Sequence, residues 1–202
     1  MHFYTEHSPH MLAEYLLLIQ PRKDLSEAVS DIKKYFFNKY KADEAIRDKP
    51  HITLVNFAQY TAFEKRICQK LRTLSLSRSP FQIDLLDYGS FPSHTIYINI
   101  LSRPAIQSLV RSVRAEAQSL MKPDNDNRPH FIMESHLTIA RKLKPWQYEQ
   151  GWLEFSNKNF TGKFIANDMV LLRRDPEGGR YGLVERFEFQ DIPPVAKQQV
   201  LF

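Results

Sequence analysis

Residues 136–139 read His136-Leu137-Thr138-Ile139, and residues 51–54 read His51-Ile52-Thr53-Leu54. Both are His, apolar, Thr, apolar, and both lie in short apolar runs of strand character. Successive side chains of a strand point to opposite faces. Each segment can therefore bury its aliphatic pair and present an imidazole beside a hydroxyl on the other face. Two such strands meeting at a cleft would furnish two imidazoles and two hydroxyls. That set suits a phosphodiester. One imidazole can take a proton from water, the second can give one to a leaving alkoxide, and the hydroxyls can hold phosphoryl oxygens.

The periodicity around these two stretches sets the class. Met11 to Gln20 is a near-continuous apolar run and reads as a buried strand ending at Pro21. Asp24 or Ser26 offers an N-cap for a helix to about Tyr40, with Leu25, Val29, Ile32, Phe36 and Phe37 at helical spacing. Residues 41–49 form a charged loop, and Pro50 leads into the first motif strand, His51 to Phe57. A helix follows from about Thr61 to Leu76. Phe81 to Tyr88 and His94 to Leu101 read as strands joined by a turn at Gly89-Ser90-Phe91-Pro92-Ser93. A third helix runs from Pro104 to about Met121, and Lys122 to Pro129 is loop. The second motif strand lies within Phe131 to Ala140, with a short helix from Pro145 to about Phe155. Strands at Phe160–Ile165, Asp168–Arg174 and Tyr181–Phe189 close the chain, the last two about a turn at Asp175-Pro176-Glu177-Gly178-Gly179. The pattern is α+β, with an approximate duplication in which each half carries one motif strand followed by a helical segment.

Composition narrows the function classes. Of 202 residues, 43% are hydrophobic, enough for a substantial core. The net charge of +5 is a mild basic excess, compatible with a polyanionic partner and with an ordinary basic surface. The single cysteine, Cys68, excludes an intramolecular disulfide, fits a reducing compartment and reads as structural. Met1 to His10 lacks the pattern of a signal peptide, and no apolar run is long enough to span a membrane, so a cytoplasmic location is expected. Seven histidines invite a metal site, but no pair has the spacing that helix-borne sites use. The expected organisation is a flexible N-terminal extension at 1–10, a single domain at 11–190 and a C-terminal tail at 191–202.

Pro50-His51-Ile52-Thr53-Leu54 and His136-Leu137-Thr138-Ile139-Ala140-Arg141, with Gly89-Ser90-Phe91 between them, resemble the 2H phosphoesterase superfamily. The likeness is to its RNA 2′,3′-cyclic phosphodiesterase, or 2′-5′ RNA ligase, branch. Ser135 stands where many members have Pro, and Asn56-Phe57-Ala58 where many have Phe-Leu-Gly. The resemblance implies a bilobal fold, with two antiparallel β-sheets, outer helices, a pseudo-twofold axis and a central cleft. It also implies hydrolysis of 2′,3′-cyclic phosphates without a metal or cofactor, the reverse ligation using the same groups. His51 and His136 are then the catalytic pair, and Thr53 and Thr138 the phosphate ligands. Arg141 is a further candidate phosphate clamp. Strict alternation puts it on the face opposite His136, so it reaches the cleft only where the strand ends or bulges. The expected partner is an RNA end or a small cyclic nucleotide, met by a monomer. A non-catalytic nucleotide- or RNA-binding module of the same fold is the alternative.

Tyr97, Phe57 and Phe91 are candidates for base stacking or for core packing. His94 and His130 read as incidental, and Arg173 and Arg174 as RNA-attracting groups or as a solvated edge strand.

Overall fold

The computed structural model describes residues 11–175 and 178–192. Expectations for 1–10 and most of 191–202, and the tip of the 175–179 turn, fall outside these residues. Among the described residues, nine strands and five α-helices follow in chain order: β1 (Leu12–Ile19), α1 (Lys23–Tyr40), α2 (Glu44–Arg47), β2 (Ile52–Tyr60), α3 (Glu64–Leu76), β3 (Phe81–Phe91), β4 (Thr95–Ile100), α4 (Arg103–Ala117), β5 (His130–Phe131), β6 (Leu137–Ala140), α5 (Pro145–Phe155), β7 (Thr161–Ala166), β8 (Asp168–Arg174) and β9 (Gly182–Glu188). The strands run in the order β7-β3-β4-β6-β2-β1-β8-β9, with β5 paired to β2. All pairings are antiparallel. The expected mixture of helix and antiparallel sheet is thus present, and the two halves of four strands each, β7-β3-β4-β6 and β2-β1-β8-β9, join through one residue pair, Ile52 with Leu137. The motif strands are the innermost strand of each half.

The connecting helices cross over. α1 leaves β1 and returns to β2, yet it packs on β6, β7 and α5 of the other half. α4 leaves β4 and packs on α3 and β2. The crossing leaves one core running beneath both motif strands, with Ile52, Leu54, Leu137 and Ile139 all fully buried in it. Burial of each such side chain contributes on the order of 1.5–3 kcal/mol. Gln147 ties α1 to α5. It is buried, its amide donates to the carbonyls of Tyr40 (2.9 Å) and Lys41 (3.0 Å), and its oxygen accepts from the Lys144 amide at 2.8 Å. Those bonds satisfy orphan carbonyls at the end of α1 and an amide at the start of α5.

Several expectations shift. The four-residue helix α2 lies inside the stretch read as a charged loop; its Ala45 is buried, and it is too short for periodicity to reveal. Gly89, Ser90 and Phe91 belong to β3 and not to the turn, which falls at Pro92–His94. α1 starts after Arg22, with Asp24 in its first turn and no side-chain cap. β8 is an interior strand, so Arg173 and Arg174 do not mark an edge; they pair with Glu64 and Glu14. Asp191 and Ile192 bond through their amides to the carbonyls of Arg78 and Leu76.

Gly151 of α5 tests how tightly the crossed helices pack. A Cβ there would lie 2.6 Å from Cζ of Phe36, a fully buried ring of α1. Ala normally outranks Gly in a helix by about 1 kcal/mol. Overpacking costs about 1–3 kcal/mol. We expect Gly151→Ala to destabilise the protein by about 1–2 kcal/mol in urea unfolding; a gain in stability would show that α1 and α5 do not meet there.

Candidate functional site

The register at the Ile52–Leu137 pair, carried one residue either way, sets His51 across from Thr138 and Thr53 across from His136. All four line one cavity of about 200 Å³, together with Asn56, Thr95 and Arg141. The two imidazoles are held alike. His51 Nδ1 lies 2.8 Å from the carbonyl of Lys49, and His136 Nδ1 lies 3.0 Å from that of Glu134, two residues upstream in each case. A carbonyl only accepts, so each Nδ1 carries the proton. In the neutral ring this leaves Nε2 as the free base. Neither Thr hydroxyl has a hydrogen-bond partner among the described residues, and both side chains are partly exposed.

A bulge in each motif strand re-aims the residues that follow. Leu17 and Leu18 of β1 pair with Val55 and Thr53, so Leu54 is the extra residue in β2. Tyr97 and Ile96 of β4 pair with Thr138 and Ala140, so Ile139 is the extra residue in β6. Burial doubles at both places, Leu54-Val55 and Ile139-Ala140, where strict alternation would give one buried residue in two. The bulge returns the residue three beyond each Thr to the cleft face. That residue is Asn56 in one half and Arg141 in the other. Arg141 therefore reaches the cavity, where it donates to Asp48 at 2.7 Å and lies 3.7 Å from Glu44.

The electrostatics of the two rings differ. Burial pushes both imidazoles below the ordinary histidine value. Around His51 the neighbouring charges are Lys33, Asp48 and Arg141; around His136 the neighbour is Glu134. Lys33 is 5% exposed, and its ammonium donates to the Asp48 carbonyl at 2.6 Å. Burial brings its pKa down to about 8 against the opposing pull of Asp48. His136 is flanked by Phe91 and Tyr97, each with ring centroids 4.9 Å away.

Lys33, Asp48, Glu44, Asn56 and Thr95 were not among the sequence candidates. Lys33 had a signal: it sits four residues after Val29 and three before Phe36, inside the apolar stripe of α1. Glu44, Asp48 and Asn56 come from a short helix, a loop and a bulge, which leave no periodic trace, and Thr95 is the first residue of β4. Phe57 stacks on Tyr15 in the core at 5.1 Å, so it takes no part in the cleft. His94 is exposed, and its ring nitrogen lies 2.9 Å from Thr95 Oγ1. Cys68 is buried and its thiol is pushed up to about 12, chiefly by burial. Among the described residues no group of three or more His, Cys, Asp or Glu could hold a metal, and no helix is long and apolar enough to cross a membrane.

Residues 21–178 match the family described as the 2′-5′ RNA ligase superfamily, and the chain belongs to it. No curated protein is significantly similar to the chain in sequence. Among solved structures, a phosphoesterase is similar with a TM-score of 0.62 at 14% identity, over 88% of this chain and 98% of that one. Escherichia coli LigT bound to 3′-AMP is similar with a TM-score of 0.62 at 17% identity, over 90% and 99%. TT0787 of Thermus thermophilus has a TM-score of 0.57 at 14% identity, over 88% and 98%. At such identity the likeness establishes the fold. Membership of the superfamily supports a phosphoesterase-type enzyme.

Gly89 supports the wall beside His136. A Cβ at Gly89 would lie 2.5 Å from Cε2 of Tyr97, the ring that abuts His136. Gly89→Ala is expected to displace Tyr97 and shift the proton NMR signals of His136 while those of His51 stay in place. Unchanged His136 signals would show that Tyr97 does not position that ring.

Proposed function

We propose that the protein hydrolyses 2′,3′-cyclic phosphates, with His51 and His136 as its acid–base pair and no metal. The observation that carries this is the matched geometry of the two rings. Each is fixed by a carbonyl two residues upstream, each has Nε2 left for proton transfer, and both line one cavity with two unengaged Thr hydroxyls. Water attacks phosphorus in line. One imidazole takes the water proton at Nε2 as the new P–O bond forms. The bond from phosphorus to one ribose oxygen breaks, and the other imidazole, protonated at Nε2, gives its proton to that oxygen. Thr53 and Thr138 donate to the nonbridging oxygens, where negative charge gathers. Arg141 binds the same anion by exchanging its Asp48 partner for phosphate.

The surrounding charges assign the roles. Beyond burial and the Lys49 carbonyl bond, which has its counterpart at His136, two cations, Lys33 and Arg141, oppose protonation of His51 and one anion, Asp48, favours it. Glu134 favours protonation of His136 through both its carbonyl and its charge, and no cation among the described residues opposes it there. His51 is the base and His136 the acid for hydrolysis; the roles exchange in ligation.

Each acid or base role is typically worth about 10²–10⁴-fold. His51→Ala and His136→Ala should each lower turnover of uridine 2′,3′-cyclic phosphate at least about a hundredfold, with unchanged circular dichroism. Near-normal hydrolysis by either variant would remove the mechanism.

The productive form carries one proton on the pair. It is lost at low pH when the second ring protonates, and at high pH when the last proton leaves. Both rings lie below 6.5, so both limbs move down. The plot of kcat/KM against pH should be a bell with its maximum below pH 6.5; a maximum above about pH 7 would contradict the buried, neutral-favouring setting of the rings.

A further inference from the structure

The backbone that fixes each imidazole is itself braced from a helix. His51 Nδ1 meets the Lys49 carbonyl, and the carbonyl one residue earlier, that of Asp48, accepts from the Lys33 ammonium of α1 at 2.6 Å. His136 Nδ1 meets the Glu134 carbonyl, and the carbonyl one residue earlier, that of Met133, accepts from the Gln107 amide of α4 at 3.2 Å. The spacing is the same in both halves. The carbonyl two residues before each histidine holds the ring, and the carbonyl three before it is held by a helix side chain.

The two helices are counterparts. β4 stands beside β6 as β1 stands beside β2, and α4 follows β4 as α1 follows β1. Each helix packs across the other half, yet reaches back to the segment that precedes the motif strand of its own half. Those segments need holding. Residues 48–51 lie between α2 and β2, and residues 132–136 between β5 and β6, outside the strands.

The braces differ in charge. Lys33 is 5% exposed. Burying an ammonium costs stability that a carboxamide making the same bond would not, and Gln107 shows that a carboxamide can make it. The charge itself therefore has a use. In the cavity beside His51, Glu44 is paired with Arg47 at 3.0 Å and Asp48 with Arg141 at 2.7 Å, which leaves Lys33 as the surplus cation. Lys49, Arg174 and Tyr181 line the adjoining cavity. Around His136 the neighbouring charge is the anion Glu134, with Phe91 and Tyr97 against the ring and His94 against Phe91.

We propose that Lys33 and Gln107 are the positioning residues of the two imidazoles. Each braces the backbone that orients its ring, and the ammonium in one half against the carboxamide in the other makes the two rings unequal, His51 the base and His136 the acid. The assignment of base and acid rests on the phosphodiesterase reading above; the bracing does not. Lys33 titrates at about 8, so it keeps its proton through the acidic range in which the pair works.

The test follows the Cε1 NMR signals of both rings against pH in the ligand-free protein, for the wild type, Lys33→Met and Gln107→Leu. In the wild type the His51 signal should show a second, smaller inflection at about pH 8, where Lys33 loses its proton, and the His136 signal should not. Lys33→Met should remove that inflection and raise the His51 midpoint by about half a unit or more, with a smaller change at His136. The acidic limb of the kcat/KM profile should rise with it while the basic limb stays. Gln107→Leu removes a donor and no charge. It should displace the His136 signal and spare that of His51, and lower kcat by about three- to tenfold with KM little changed, since Gln107 lies outside the cavity.

Equal movement of both midpoints in Lys33→Met, or none, overturns the charge assignment. Wild-type His136 signals and kcat in Gln107→Leu overturn the brace. Should Lys33→Met not fold, the wild-type titration decides alone, and a His51 signal without the inflection overturns the role of Lys33. If the wild type hydrolyses no 2′,3′-cyclic phosphate, the phosphodiesterase reading fails, and the ring signals still judge both braces.

Discussion

One cross-strand pair, Ile52 with Leu137, holds the two halves of the sheet together. Both side chains are fully buried, so the pair is anchored from below by the core. Everything in the cleft is referenced to it. A strand has period two, and a slip of one residue by either motif strand would turn its histidine into the core and its two apolar neighbours into water. The apolar positions of the two motifs therefore do as much for the site as the polar ones. They fix the register at which imidazole and hydroxyl from distant parts of the chain come to face one another.

The crossed helices reinforce that constraint. α1 and α4 each join strands of one half while packing against elements of the other. Neither half has a core of its own to fall back on, since the buried side chains form one continuous cluster. Separating the halves would expose both helices and the undersides of both motif strands together. A cleft whose walls are tied in this way can hold two rings in fixed relation without a metal to clamp them. The Nδ1 bonds complete the arrangement by choosing the tautomer, and they use backbone carbonyls, whose positions follow from the strand path itself.

The bulges at Leu54 and Ile139 show how a near-duplicated site acquires asymmetry. Each bulge brings the residue three beyond its Thr into the cavity, and these are an amide in one half and a guanidinium in the other. Arg141 adds a positive charge beside His51, since the strands run antiparallel and the end of β6 lies near the start of β2. Lys33 adds another from α1. The two imidazoles thus share a geometry and differ in their charge surroundings, which is what a reaction needing one acid and one base requires.

Much of this was legible in the chain. The repeated His-x-Thr pattern named four cavity residues, and the alternation of apolar residues around it gave the strands and their buried faces. That worked because side-chain direction in a strand follows from position alone. Arg141 was left undecided, since alternation turns it away and only a bulge brings it back. Bulges depend on how a neighbouring strand pairs, which no local pattern records. For the same reason Lys33 read as one more polar residue of an amphipathic helix, and Asp48 and Glu44 as members of a charged loop. The sequence by itself determined which imidazoles and hydroxyls the motif strands carry and which face of each strand they occupy. Only the tertiary structure decided that they converge and which charges stand beside each ring. Convergence is a matter of long-range pairing between segments that hold no information about one another until they meet.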